Sequence, residues 1–181
     1  NGPTGASITG VEAAEAASPN AFDVTVGGIS GDGGIGLDLA DGNEIVDTVG
    51  NALTGGEPDT DQVYTIDNTA PTITLDAISG DDAINATEDD SAVALSGTTT
   101  DVAEGETVSL DIGSGTLTTT ATVNDGTWST ELPPADVQSL TEGGVTVSAT
   151  ASDRAGNEGS ASRAVSYDAT APTVTEFSRL G

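Results

Sequence analysis

Apolar and polar residues alternate with a period of two along most of the chain from residue 72 onward. Such alternation predicts β-strands with one buried face. We predict seven strands, whose inward positions are Ile73, Leu75 and Ala77; Val93 and Leu95; Val108, Leu110 and Ile112; Leu117, Thr119, Ala121 and Val123; Trp128, Thr130 and Leu132; Val145, Val147 and Ala149; and Val165 and Tyr167.

Turn signals separate these strands. Asn124-Asp-Gly126 predicts a tight hairpin turn, because these residue types tolerate positive φ. Pro133-Pro134-Ala-Asp-Val-Gln-Ser-Leu140 predicts one short helical turn with proline at its start. Trp128 is interpreted as the largest core residue. Seven short strands within about 100 residues are typical of an immunoglobulin-like β-sandwich, so the chain is predicted to be all-β.

An internal repeat predicts more than one such domain. Tyr64-Thr-Ile-Asp-Asn-Thr-Ala-Pro-Thr-Ile-Thr74 recurs as Tyr167-Asp-Ala-Thr-Ala-Pro-Thr-Val-Thr175, and Asp47-Thr-Val-Gly-Asn51 recurs as Asp153-Arg-Ala-Gly-Asn157. A long period without helical signals indicates tandem domains joined end to end by short Asp-x-Thr-x-Pro linkers. We predict a short or truncated immunoglobulin-like domain over 1–67, a complete seven-strand domain over 68–168, and the start of a third repeat or a tail over 169–181.

The first domain has weaker patterning. Only residues 22–26, 35–39 and 63–66 predict clear strands, and residues 1–20 show little alternation. We therefore expect this domain to lack the front part of a sandwich. The start at Asn1 and the end at Gly181 predict a fragment of a longer protein.

The charge is extreme, with 30 acidic residues against 3 basic ones and a net charge of −27. Such a charge repels nucleic acid and anionic membrane surfaces, so neither is expected as a partner. It is compatible with either a solvated acidic surface or the binding of cations. The chain has no cysteine, which leaves metal ions as the expected means of stabilising small extracellular domains. An apolar run long enough to cross a membrane is not found, so no membrane insertion is predicted.

Several motifs together resemble the bacterial immunoglobulin-like repeats of giant Gram-negative surface adhesins, including biofilm-associated and RTX-type adhesins. The resemblance is carried by the two linkers, by Asp125-Gly-Thr-Trp128, by Gly80-Asp-Asp-Ala-Ile-Asn85 with Glu88, and by Asp153-Arg-Ala-Gly-Asn157. Residues 29–33 and 45–53 resemble a related repeat. The resemblance implies calcium at domain junctions, neighbouring repeats of the same chain as partners, and an extracellular place on the bacterial surface.

The acidic loops offer the hard oxygen ligands that calcium prefers. In a sandwich, the incoming linker, the loop after the second strand and the last hairpin loop lie at one end. We therefore predict a junction site and, at the opposite end, a second site for the following junction. The ligands of the first are Asp67, Asp101, Glu104, Asp153 and Asn157, and those of the second are Asp81, Asp82, Asn85, Glu88 and Asp168.

Simpler explanations remain open for some of these motifs. Residues 153–157 can form a turn held only by Asx hydrogen bonds and a left-handed glycine. Residues 33–38 match the opening of a calcium β-roll repeat, but one copy cannot stack. The adjacent acids Asp89 and Asp90 lack the surroundings of a glycosidase, so no catalytic residue is predicted and the chain is not expected to be an enzyme.

The leading functional hypothesis is a calcium-stiffened spacer that presents a distal adhesive region. One alternative is a domain that itself binds a glycan, ice or a protein, although the near absence of exposed aromatic residues argues against sugar binding. Another alternative is a subunit of a surface layer or filament.

Overall fold

The computed structural model describes residues 2–13, 22–38, 46, 49–52 and 62–176. The chain divides into two compact units, Asn1–Thr69 and Ala70–Gly181. Each unit builds its own β-structure, so each is presented by itself.

In its described residues, the first unit contains two antiparallel strand pairs. Strand β1 pairs with β2, and β3 pairs with β4. The strands are β1 Ser7–Ala13, β2 Phe22–Gly27, β3 Gly33–Ile35 and β4 Tyr64–Ile66. Isolated bridges join Thr4 to Ser30 and Val46 to Ala52.

Sequence patterning predicted these first-unit strands unevenly. Strands β2 and β4 lie where they were predicted, whereas β3 begins and ends earlier than the predicted 35–39. Strand β1 was missed because its register shifts between Ile8 and Gly10, which interrupts the alternation on which the prediction depends. Leu39 and Asp47 lie outside the described residues.

The second unit is a β-sandwich of eight strands and one helical turn. Its strand order is β5-β7-β10-β9-β8-β11-β12-β6. The elements are β5 Thr72–Ile73, β6 Ala83–Asn85, β7 Val93–Thr100, β8 Thr107–Ile112, β9 Leu117–Asn124, β10 Thr127–Leu132, α1 Pro134–Val137, β11 Gly143–Ser152 and β12 Glu158–Asp168.

The sheet folds into two layers at the hairpin between β9 and β10. These strands share only two register pairs, next to the turn, whereas β9 pairs with β8 along six residues. Strand β5 approaches β12 and β11 without pairing with either, which closes the opposite side of the sandwich. The hairpin turn itself uses positive φ at both Asp125 (51°) and Gly126 (70°), as predicted from Asn124-Asp-Gly126.

The core of this unit lies between the two layers. Trp128 is 2% exposed, which confirms its interpretation as a core residue. The inward positions of β7, β8 and β11 are buried in the predicted alternation. The largest fully buried side chains of this core are Ile78, Leu95, Leu110, Ile112, Val108, Val123 and Val137.

Strand β6 is an addition to the seven predicted strands. Its three residues pair in parallel with the end of β12, placing Ala83 beside Ser166 and Asn85 beside Asp168. Three residues are too few to show a period of two, so patterning alone predicts an acidic loop for this segment. The consequence is that part of the second predicted metal cluster lies on a strand edge.

Candidate metal sites and linker contacts

The hairpin loop between β11 and β12 is organised by one carboxylate. Asp153 Oδ1 accepts hydrogen bonds from the main-chain N–H groups of Ala155 (2.8 Å) and Asn157 (2.9 Å), and Asp153 Oδ2 accepts one from Asn157 Nδ2 (2.7 Å). Gly156 has a φ of 93°, which suits glycine. The Asn157 side chain, followed by the loop N–H groups, lowers the pKa of Asp153.

The second unit brings part of the predicted junction site to one end. Thr72 pairs with Thr100, which precedes Asp101, and Pro71 packs on Gly159 just after the Asp153–Asn157 loop. Glu104 contacts the turn between β9 and β10, where its Oε2 accepts a hydrogen bond of 2.7 Å from the Asp125 N–H. Asp67 belongs to the first unit, so the five-residue junction site stays a prediction.

The second predicted cluster is partly engaged in contacts within the unit. Asp82 forms an ion pair with Arg163 and also accepts the Ile78 N–H at 3.0 Å. The pKa of Asp82 is lowered, first by the Arg163 hydrogen bond and then by that N–H. Asp82 is therefore the member of this cluster that already has a cationic partner.

The remaining members of the second cluster lie in turns. Glu88 Oε2 accepts the Asn85 N–H at 3.0 Å, while Asn85 Oδ1 accepts the N–H of Thr87 at 2.9 Å. Asp81 Oδ1 accepts the Ala83 N–H at 3.1 Å. Strand pairing places Asn85 beside Asp168, so these two do lie together, but the proposed metal role of the cluster stays a prediction.

The donor chemistry of these loops fits calcium, since it consists of carboxylate and amide oxygens. The geometry fits less well. Among the residues outside the gaps at 1, 14–21, 39–45, 47–48, 53–61 and 177–181, no group of three or more acidic side chains converges as a metal site. A calcium ion here would need main-chain carbonyl or water ligands in addition to the predicted side chains.

The two linkers begin with the same local turn. Asp67 Oδ1 accepts the Thr69 N–H at 3.1 Å, and Asp168 Oδ1 accepts the Thr170 N–H at 3.0 Å. Each is a turn in which an Asp side chain bonds to the main chain two residues on. The sequence repeat at the linkers is therefore also a repeat of structure.

A second acid holds each linker, and the sequence prediction missed both acids. In the first unit, Asp32 accepts hydrogen bonds from the Asn68 N–H (2.7 Å) and from the Thr69 hydroxyl. These two hydrogen bonds lower the pKa of Asp32, and the bond from the Thr69 hydroxyl has the larger effect. Asn68 Nδ2 also donates to the Gly31 carbonyl oxygen at 2.8 Å.

Glu142 makes the equivalent contacts in the second unit. Its Oε1 accepts the Ala169 N–H at 3.0 Å, and the Thr170 hydroxyl donates to Oε1 at 3.0 Å and to Oε2 at 2.8 Å. Asp32 immediately precedes β3, as Glu142 immediately precedes β11. The signal that could have revealed them is the shared string of acid, two glycines and a β-branched residue at 32–35 and 142–145.

The first unit has a bridge at the position that corresponds to the last hairpin of the second unit. Val46 forms an isolated antiparallel bridge with Ala52, and Ser152 pairs with Glu158 in the second unit. Gly50 has a φ of 93°, the same value as Gly156. Among the described residues, the two units therefore share this bridge, the glycine with positive φ and a linker that an acid holds.

Pro71, near the start of the second unit, packs against Gly159. Gly159 leaves room for the main chain of Pro71, because a Cβ at position 159 would overlap the Pro71 carbonyl oxygen. Pro71 itself is buried. The proline of this linker is therefore part of the second sandwich.

These features define a class of protein, namely an acidic all-β chain of tandem domains with repeated linkers. Over the described residues, no helix is both long and apolar enough to span a membrane. No protein-family model matches the chain, and no curated protein matches it.

Comparison with solved structures identifies the family. A bacterial immunoglobulin-like domain from the M. primoryensis ice-binding adhesin is 40% identical, and the match covers 55% of this chain and 99% of that domain, with a TM-score of 0.42. The sequence identity across that whole domain carries the assignment. The chain belongs to the bacterial immunoglobulin-like domains found in large adhesins.

Two longer structures are also similar. A Ca²⁺-stabilized adhesin of an Antarctic bacterium, described as binding ice, is 34% identical over 70% of this chain and 31% of its own, with a TM-score of 0.44. A tetra-tandem repeat in the extending region of a large adhesion protein is 27% identical over 89% of this chain and 41% of its own, with a TM-score of 0.47. This chain thus spans less than half the length of either.

Proposed function

We propose that this chain is a pair of extender repeats of a bacterial cell-surface adhesin, stiffened by calcium, that hold a distal adhesive region away from the cell. The observation that carries the proposal is the repeated linker. In both units an Asx turn and a second acidic side chain fix the linker residues, which are 67–69 in the first unit and 168–170 in the second. A spacer needs linkers of fixed conformation, because its length depends on the direction in which the chain leaves each domain.

Calcium enters the proposal through charge and donor chemistry. The chain carries a net charge of −27, and its acidic loops present oxygen ligands. One similar adhesin is described as Ca²⁺-stabilized. We propose the junction ligands Asp67, Asp101, Glu104, Asp153 and Asn157, and the second set Asp81, Asp82, Asn85, Glu88 and Asp168.

The proposal includes an extracellular location, domain boundaries after residues 67 and 168, and no catalytic role. Its partners are neighbouring repeats of the same chain. The equivalent turns that begin at Asp67 and Asp168 support these boundaries, because each turn starts a short linker.

The test is thermal unfolding and small-angle scattering of the 181-residue chain in calcium and in chelator. Calcium that binds only the native state stabilises it by roughly 2.7 kcal/mol at 100 times its dissociation constant. We expect a higher melting temperature and a longer, more rigid particle in calcium. Magnesium at equal ionic strength is the control for general screening. Identical melting and scattering curves in calcium and chelator would contradict the proposal.

A further inference from the structure

We infer that Asp32 and Glu142 are positioning residues that hold the linkers without a metal ion. The inference rests on the proposed extender function, and it adds a second source of order at the joint. Each acid accepts one main-chain N–H and one threonine hydroxyl of its own linker. Hydrogen bonds to a charged acceptor are the stronger kind, which suits them to fixing an exposed segment.

The duplication argues that this contact is specific. The acid is Asp in one unit and Glu in the other, and the residue whose N–H it accepts is Asn68 in one and Ala169 in the other. The parts that recur are the carboxylate, the main-chain N–H and the threonine hydroxyl. The contact therefore depends on the functional groups rather than on one particular side-chain length.

The mechanical consequence is a very short free segment. Thr69 is held by Asp32 within the first unit, and Pro71 is buried on Gly159 within the second. Ala70 alone lies between these two attachments, and a residue before proline is restricted to extended geometry. Removing the Asp32 contact would take away two of the hydrogen bonds that hold the linker, while the Asp67 turn and the bond from Asn68 Nδ2 to the Gly31 carbonyl oxygen stay in place.

The experiment uses the whole chain in chelator, so that no metal contributes. Amide exchange at Asn68 and the particle dimension by scattering are measured for Asp32→Ala and Asp32→Glu. Asp23→Ala is the matched control, because it removes an exposed acid from β2 of the same unit. We expect Asp32→Ala to speed Asn68 exchange about ten- to hundredfold, the range of one net hydrogen bond to a charged acceptor. Asp32→Glu should restore slow exchange, since the second unit uses Glu142.

Thr69→Val provides a second variant that keeps the β-branched shape and the Asp32 charge while removing the hydroxyl donor. In chelator, it should also broaden the distribution of particle dimensions measured by scattering. Wild-type exchange in both Asp32→Ala and Thr69→Val would overturn the inference, as would an equal effect of Asp23→Ala. An effect confined to calcium would also overturn it, because Asp32 would then act as a metal ligand. Failure of the extender proposal has a separate signature, namely no response of the wild type to calcium.

Discussion

The hydroxyl of Tyr167 donates a hydrogen bond of 2.9 Å to Asp89 Oδ2, and both residues are buried. Burial, followed by the Asp89 contact, raises the pKa of Tyr167. Gln138 Nε2 donates to the Asp89 carbonyl oxygen at 3.2 Å. One acid thus connects the turn before β7 with the end of β12 and with the residue after α1.

Replacing Tyr167 by Phe should destabilise the second unit, because the buried Asp89 carboxylate would lose a donor. We expect a melting temperature lower by about 5 °C. Tyr64→Phe is the control, since Tyr64 is 62% exposed in the first unit. Equal melting of Tyr167→Phe and wild type would show that water replaces the lost donor.

Gly159→Ala should displace Pro71, whose carbonyl oxygen occupies the space of the new Cβ. We expect a loss of about 1–3 kcal/mol in the free energy of unfolding of the second unit, as for other overpacked sites. Gly144→Ala in the neighbouring strand β11 is the matched control, because a Cβ there meets no atom within 4 Å. Chemical denaturation measures both, and equal losses would contradict the packing argument.

Asp153 should titrate below its ordinary pKa of 3.8, because the Asn157 side chain and the loop N–H groups stabilise its charged form. A lowered folded-state pKa means that this contribution to stability is present above pH 3.8 and is lost as the pH falls through the folded value. Carboxyl-carbon NMR measures the titration. Asn157→Ala should raise the pKa toward 3.8, and a wild-type value at or above the ordinary one would refute the loop geometry.

Asp153→Ala should loosen the proposed calcium-bound joint while both units stay folded. Proline fixes only its own φ, so the remaining linker torsions need a further restraint. We expect the variant to give a broader distribution of particle dimensions than the wild type in calcium, measured by small-angle scattering. Arg154→Ala is the control from the same loop. Equal dimensions and rigidity for Asp153→Ala and wild type would remove this loop from the joint.

The sequence determined most of the second sandwich. Alternation identified the buried positions of β7, β8 and β11, because one face of each strand packs against a single core, whereas the predicted positions Leu117, Thr119 and Thr130 are only half-buried. The repeat at Asp67 and Asp168 located equivalent linkers, since identical functional groups make the same local turn. Both features depend on residues that are close together in sequence, so the sequence pattern is sufficient to predict them.

Only the tertiary structure decided which acids meet which partners. Asp82 was grouped with the predicted metal ligands because of its neighbours in sequence, yet Arg163 from β12 forms an ion pair with it. Asp32 and Glu142 were overlooked because each contacts a linker distant in sequence. Carboxylates in a chain with 30 acidic residues look alike until folding brings a specific donor within hydrogen-bonding distance.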